Sequence, residues 1–189
     1  FDKWQRSEKA LLAACGEMVL AGVSNRNASR LAQEAFGAEI SPGLVSNLVK
    51  ELEPGIQAFR ERKLGKFPYL IVDARFDKVR SGHSVSSRAF LWVSGVNEEG
   101  QREVLGWADW QGETKVAWET LFKQLKERGL EGVKLVVSDA HEGLVQAVMQ
   151  AFPGSEWQEC QAHFLRRSVE HVKTADQAAF HGDVRNVLY

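Results

Sequence analysis

The chain has 189 residues, 44% of them hydrophobic and 26% charged, with 24 Lys+Arg against 25 Asp+Glu and a net charge of −1. That profile describes one or two soluble globular domains and excludes disorder, collagen and coiled coil. No apolar run approaches the roughly 18 to 20 residues that a membrane span needs, and the opening FDKWQRSEKA lacks the basic and apolar regions of a signal peptide, so a cytoplasmic protein with no membrane partner is expected. Cys15 and Cys160 are too few and too widely separated to read as a disulfide framework, which fits a reducing compartment. With charge so nearly balanced, any nucleic-acid contact has to come from local patches.

Charge and hydrophobic period both change near residue 66. Residues 1–66 hold 10 Lys+Arg and 8 Asp+Glu, residues 67–189 hold 14 and 17. In the first part the period is helical. Leu11, Ala14, Cys15, Met18 and Val19 form one stripe, with Gly22 as its stop. Ser24 is a good N-cap for a second helix through Ala28, Leu31, Ala32 and Ala35, which Gly37 ends. Ser41 caps a third, with Pro42 in its first turn and Ile40 and Val45 placed for a hydrophobic staple. Leu44, Val45, Leu48, Val49 and Leu52 form its buried stripe, and Pro54-Gly55 ends it or follows closely. The short turn Gly37-Ala38-Glu39-Ile40 suits a helix-turn-helix over about 24–53, with Ser46, Asn47 and Lys50 turned outward to meet base edges or phosphates. A plain helical packing unit reads the same way.

From residue 67 the pattern is β-like. PYLIVDA (68–74) reads as a central strand buried on both faces and continues into FDKVR; SSRAFLWVSGV and REVLGWADW follow as two strands joined by Asn97-Glu98-Glu99-Gly100. Next come a helix capped at Thr114 with Trp118, Leu121, Phe122 and Leu125 on one face, the strand VKLVVS (133–138), and a helix carrying Leu144, Val145, Val148, Met149 and Phe152. SEWQECQAHF then reads as a strand leading into a helix, and Thr174 with Gln177 as a capping box opening one more helix. The order βββαβαβα implies a mixed α/β sheet, antiparallel at its start and parallel after the first crossover helix. Trp92, Trp107, Trp110, Trp118 and Trp157 read as core or sheet-face residues rather than base-stacking platforms.

Two aspartates stand out. Asp73 interrupts the most apolar strand, where a carboxylate needs a cation or a partner, and Asp139 follows VKLVVS at the carboxyl end of a parallel strand, where open α/β sheets place ligands. If the first and fourth strands are neighbours, the two converge as hard oxygen ligands for Mg²⁺ or Mn²⁺. The bland alternatives are equally concrete: Asp139 and Glu142 make a capping box, and Asp73 and Asp77 pair with Arg75 or Lys78. Cys160-Gln161-Ala162-His163 has a ligand spacing but no second Cys/His pair, so no zinc is expected, and Cys160 and His163 are candidates for support beside a site, as is His141. Lys78, Arg80, Arg166 and Arg167 are candidate phosphate contacts, or simply solvated. No GxxxxGK[ST], GxGxxG or GxSxG occurs, so nucleotide chemistry and an elbow-type serine hydrolase lack their usual signature.

YLIVDARFDKVR, GVNEEGQREVLGW, GLEGVKLVVSDAHEGLVQAV and FPGSEWQECQAHFLRR, in this order, resemble the bacterial insertion-sequence transposases of the Mutator-like superfamily over about residues 20–172. The resemblance implies an RNase H-like core (67–172) behind a helical DNA-binding segment (1–66), with 173–189 as the start of a helical insertion. It implies a DDE triad whose first two members are Asp73 and Asp139, and the Cys160/His163 pair matches a recurrent family feature. Arg167 departs from the family, which often has Asn there. Two Mg²⁺ or Mn²⁺ ions in a complete protein, DNA as partner (element terminal repeats and target), a homo-oligomer and a nucleoid location are implied as well. No Glu after Asp139 fits the third position, so the expectation is a fragment with weak metal binding and little or no catalysis. A truncated DNA-binding inhibitor or relic, and a generic α/β domain with structural aspartates, are the competing readings.

Overall fold

A computed structural model of the chain describes residues 2–37, 40–50, 53–81 and 84–188. Ala38 and Glu39 of the proposed turn, Leu52 and the side chains of Leu48, Val49 and Leu188 lie outside the described residues. The chain divides into two compact units, Phe1–Arg62 and Lys63–Tyr189.

The first unit is helical: α1 (Asp2–Leu20), α2 (Asn25–Phe36), α3 (Pro42–Lys50) and α4 (Glu53–Glu61). Ser24 caps α2 by accepting from the Asn27 N–H, and Gly37 ends it in the left-handed region at φ +65°, donating to the Gln33 carbonyl. Ser41 Oγ accepts from the Leu44 N–H at 3.1 Å, the cap expected of α3. The Ser29 hydroxyl donates to the Ile40 carbonyl, tying α2 to the segment that enters α3. Cys15, Ala28, Ala32, Ile40 and Val45 form the core of this unit, with Leu11, Met18 and Val19 packed against it. Ala35 and Leu44 are exposed instead of completing their stripes. α3 ends at Lys50, so Pro54-Gly55 follows its end closely as expected, and both lie in the first turn of α4, where proline lacks nothing because that N–H has no intrahelical partner.

The second unit runs β1 (Tyr69–Ser81), β2 (Ser84–Val96), β3 (Arg102–Trp110), α5 (Lys115–Glu127), β4 (Leu135–Ser138), α6 (Glu142–Ala151), β5 (Glu156–Glu159), α7 (Gln161–Glu170) and α8 (Gln177–Leu188). The five strands form one sheet in the order β3-β2-β1-β4-β5. β1 is antiparallel to β2 and β2 to β3, while β1–β4 and β4–β5 are parallel, so the fold is mixed α/β as the sequence implies. In the β2–β3 turn Gly100 sits at φ +80° and Asn97 Oδ1 accepts from the Gln101 N–H, the chemistry read there as a hairpin. The fourth strand starts at Leu135 and the fifth ends at Glu159, both shorter than the apolar runs suggested.

One face of the sheet carries the core. Leu70 and Val72 of β1, Leu91 and Val93 of β2, Leu105 of β3 and Val136 of β4 meet Trp118, Leu121, Phe122 and Leu125 of α5 and Leu144, Ala147 and Val148 of α6. The Trp118 and Phe122 rings stack at 5.8 Å and Phe152 meets Phe122 edge-on at 5.2 Å. Alternation then sends Tyr69, Ile71 and Asp73 to the other face, where Tyr69 and Trp92, the β2 partner of Asp73, are each 48% exposed. The expectation of a first strand buried on both sides is therefore corrected: β1 is central in strand order but contributes alternate residues only to this core. Met149, counted with the α6 stripe, is exposed. The capping box at Thr174 is also corrected, since the Gln177 carboxamide donates to the Val169 and Val172 carbonyls at the end of α7.

Gly95 lets β2 close on this core, since a Cβ there would lie 2.7 Å from both Leu105 Cδ1 and Phe67 Cδ1 and 2.9 Å from Phe67 Cγ. The ring has no room to retreat in a packed interior. Gly95→Ala is expected to lower unfolding stability by about 1–3 kcal/mol, read as a shifted urea midpoint with unchanged slope; an unshifted midpoint would show that the ring and Leu105 yield.

Candidate functional site

β1 and β4 pair in parallel with Tyr69 opposite Leu135, Leu70 opposite Val136 and Ile71 opposite Val137. The same offset carried two steps further sets Asp73 beside Asp139, just past the carboxyl end of β4. Asp73, the fifth residue of the thirteen-residue β1, thus lies level with the carboxyl end of the shorter β4. Asp73 Oδ1 accepts from the Ala74 N–H at 2.9 Å, and its side chain is 42% exposed. The alternative pairing with Arg75 is not what forms: Arg75 binds Asp77 at 3.1 Å, and among the described residues no Lys or Arg pairs with Asp73.

Instead His163 approaches, with Nε2 4.0 Å from Asp73 Oδ1. Its Nδ1 is buried and has no hydrogen-bond partner among the described residues. His163 is carried there by the Cys-x-x-His spacing. Cys160 is the N-cap position of α7 without a side-chain cap bond, and its backbone N–H donates to the Ser138 carbonyl, which fixes the start of α7 to the end of β4.

Asp139 is not the cap of α6. That position belongs to His141, whose Nδ1 accepts from the Leu144 N–H at 3.4 Å, while the His141 N–H donates to Asp139 Oδ1 at 3.2 Å. Glu142 takes the Gln146 carboxamide rather than reaching back to close a box. The capping-box alternative for Asp139 and Glu142 is thereby overturned, because an aspartate two positions before the cap is too far back to hold the first-turn N–H groups.

The residue the sequence reading missed is Glu113, directly before the α5 cap Thr114. Its side chain is only 9% exposed; Oε1 accepts from Trp118 Nε1 at 3.1 Å and stands 3.7 Å from His141 Nδ1. Burial pushes its carboxyl pKa up, and the negative charges of Asp139 and, more weakly, Asp73 push the same way, against the pull of His141 and the Trp118 hydrogen bond. Those influences place Glu113 within electrostatic reach of both aspartates. Gly143 allows the starts of α5 and α6 to close on one another here, a Cβ at that position lying 3.1 Å from the Lys115 N and 3.2 Å from His141 Cε1. A glycine in the second position of a helix, two residues after His141, was the available signal.

The basic candidates lie elsewhere. Lys78 and Arg80 are exposed five and seven residues along β1 from Asp73, about 17 to 23 Å at 3.3 Å per residue. Arg167 is held by Glu159 at 2.7 Å. Arg166 lines a groove between α7 and α8 with Leu165, Val169, His181 and Arg185. Ser46, Asn47 and Lys50 are on α3 of the first unit, Asn47 and Lys50 exposed and Ser46 half-buried. Among the described residues no three His, Cys, Asp or Glu side chains are gathered at metal-ligand spacing.

The family model "Transposase, Mutator family" matches residues 1–189. The transposase of insertion sequence IS256 in transposon Tn4001 from Staphylococcus aureus is 39% identical over 190 residues, which is all of this chain and 49% of that protein. The transposase of ISRM5 from Rhizobium meliloti (strain 1021) is 42% identical over 91% of this chain and 44% of its own length. That of IS1081 from Mycobacterium tuberculosis (strain ATCC 25618 / H37Rv) is 40% identical over 85% and 39%. The chain thus spans half or less of the length of these curated relatives.

Glu113 also makes a prediction about pH. A carboxyl whose folded pKa is raised above the ordinary 4.5 contributes stability that is fully present below that value and is lost as pH rises through the folded pKa. Glu113→Gln, which keeps an acceptor for Trp118, is expected to melt higher than wild type at neutral pH, with the difference shrinking as pH falls toward the ordinary carboxylate range. Thermal melts across that range check it; a difference independent of pH would contradict it.

Proposed function

The chain belongs to the Mutator family of insertion-sequence transposases, and we propose that its second unit is an RNase H-like core supplying two carboxylates, Asp73 and Asp139, to a DDE-type metal-dependent DNA cleavage and strand-transfer site. The observation that supports this reading is the β1–β4 register, whose last pair, Ile71 opposite Val137, stands two residues before Asp73 on one strand and two before Asp139 on the other. The strand order β3-β2-β1-β4-β5, with its antiparallel hairpins and parallel crossovers, supports it.

The donor set suits a hard divalent cation. Both carboxylates have oxygens uncommitted among the described residues, neither is ion-paired to Lys or Arg, and Glu113 adds nearby negative charge. Bound by Asp73 and Asp139, Mg²⁺ or Mn²⁺ supplies the Lewis acidity and nucleophile activation that attack on a phosphodiester by water or a DNA 3′-hydroxyl requires. The chain's own contribution is positioning. The Ala74 N–H orients Asp73, the His141 N–H orients Asp139, and His163 stands against the Asp73 oxygen that faces it. Two carboxylates are a minimal set, so these residues alone bind the cation weakly and catalyse little.

The first unit is proposed as the DNA-binding element, a helix-turn-helix formed by α2 and α3 with Ser46, Asn47 and Lys50 toward the DNA of the element ends; Lys78, Arg80, Arg166 and Arg167 remain proposed backbone contacts, of which Arg167 must first leave Glu159. Work on paired ends calls for a homo-oligomer.

The test is an anomalous-difference map from crystals soaked in Mn²⁺, with Asp73→Ala as control. A peak shared by Asp73 and Asp139 and lost in the control is expected. Carboxylates that direct their oxygens to different surfaces, with no shared peak at any Mn²⁺ concentration, would overturn the site.

A further inference from the structure

We propose that the far end of the β1–β2 hairpin is a ribbon arm that grips duplex DNA by its phosphate backbone, with Lys78 and Arg80 as the contacts. This rests on the reading of DNA as the partner of the chain, not on the aspartate pair, and it names the element to which those two cations belong. β1 and β2 pair antiparallel over their whole length, from Tyr69 opposite Val96 to Ser81 opposite Ser84. Their neighbours stop much earlier. β4 pairs with β1 only as far as Ile71, and β3 pairs with β2 only as far as Ala89. Residues 77–81 and 84–88 therefore form a two-stranded ribbon with no third strand on either side among the described residues, about 17 Å long at 3.3 Å per residue. A ribbon of two strands is marginal on its own in water, so this extension adds little to the stability of the fold.

The arm differs in charge from the chain that carries it. Residues 75–88 hold four Lys+Arg against one Asp, in a chain whose net charge is −1. Two of the four are committed, Arg75 to Asp77 at 3.1 Å and Arg88 to Asp109 at 2.7 Å. Lys78 and Arg80 are exposed, and among the described residues no carboxylate pairs with them. Alternation along β1 places both on one face of the ribbon, about 6.6 Å apart. Phe76 and Val85, the partner of Arg80, share that face and are 55% and 56% exposed, and the Ser84, Ser86 and Ser87 side chains are exposed as well. A two-stranded ribbon fits the major groove of B-DNA, about 12 Å wide, and Lys, Arg and Ser are side chains that hold phosphate oxygens. Residues 75–88 contain no Asn or Gln, the side chains that read adenine, which suits a grip on the backbone rather than a reading of bases. Charge on a free strand edge also deters pairing with other strands. That role needs the cations but no DNA, and the two predict different losses.

Binding to two fluorescently labelled duplexes of equal length and unrelated sequence is followed by anisotropy over a range of salt concentrations. The proteins are the wild-type chain, the neutral double variant Lys78→Gln/Arg80→Gln and the charge-conserving swap Lys78→Arg/Arg80→Lys, each with its melting temperature and its sedimentation without DNA. The neutral variant is expected to melt as wild type does and to bind both duplexes more weakly by the same factor. Its slope of log affinity against log salt is expected to be shallower by about 1.8, at about 0.9 for each lost phosphate contact. The swap is expected to keep the wild-type slope. A neutral variant with wild-type affinity and slope overturns the inference and leaves DNA as the partner; if it also self-associates, the two cations guard a strand edge instead. A swap that loses as much slope as the neutral variant overturns it too, because charge is then not what binds. Wild type that binds neither duplex at low salt overturns the reading of DNA as partner of this chain, and the inference with it.

Discussion

The parallel pairing of β1 with β4 is the constraint from which the rest of the second unit follows. A parallel neighbour cannot be reached through a tight turn, so the chain must cross over, and α5 is that crossover. Crossing over brings α5 onto the sheet, where Trp118, Leu121, Phe122 and Leu125 cover Leu70, Val72 and Leu91. Burial in turn locks the register. A slip of one residue would bring Asp73 to the core face and send Val72 or Leu70 out of it, at the cost of several buried side chains. The level of Asp73 on β1 against the end of β4 is thus enforced by the apolar residues beside it.

Much of this was legible in the chain, for definable reasons. The βββαβαβα order follows from local signals: the Asn97 to Gly100 turn, the Thr114 cap, the α5 stripe and the apolar run of β4 all depend on near neighbours. Asp73 and Asp139 could be singled out because a carboxylate inside or directly after an apolar strand is costly without a purpose. Caps with a serine, such as Ser24 and Ser41, read correctly because their side chain and their target N–H are three residues apart. The family resemblance rests on the same motifs, four of them in fixed order.

What was not legible depends on tertiary contact. Glu113 sits one residue before a helix cap, where an acidic residue is ordinary, and only the approach of α6 turns it into a buried group. The capping box expected of Asp139 failed because His141 occupies the cap position, a choice fixed by the turn out of β4 and by Gly143, not by side-chain preference. Gln177 carries the right residue type for a box but finds the carbonyls at the end of α7 instead. The two-sided burial expected of β1 failed because an apolar run does not say how many faces find a partner.

The site also sets fold and function against each other. Three carboxylates within electrostatic reach of one another repel, and one of them is buried. The fold offsets this with what lies at hand. Glu113 and Asp139 precede the amino ends of α5 and α6, whose unpaired N–H groups and dipoles favour negative charge, and Gly143 brings those two ends together. Two imidazoles, of His141 and His163, stand against Glu113 and Asp73. None of these neutralises the cluster outright, since no Lys or Arg pairs with Asp73, Asp139 or Glu113 among the described residues. A lysine or arginine there would stabilise the fold and remove the site proposed for a divalent cation. Partial charges from helix ends and imidazoles offset the carboxylates only in part, and the apolar core beneath, centred on Trp118 and Phe122, supplies the stability that lets the arrangement persist.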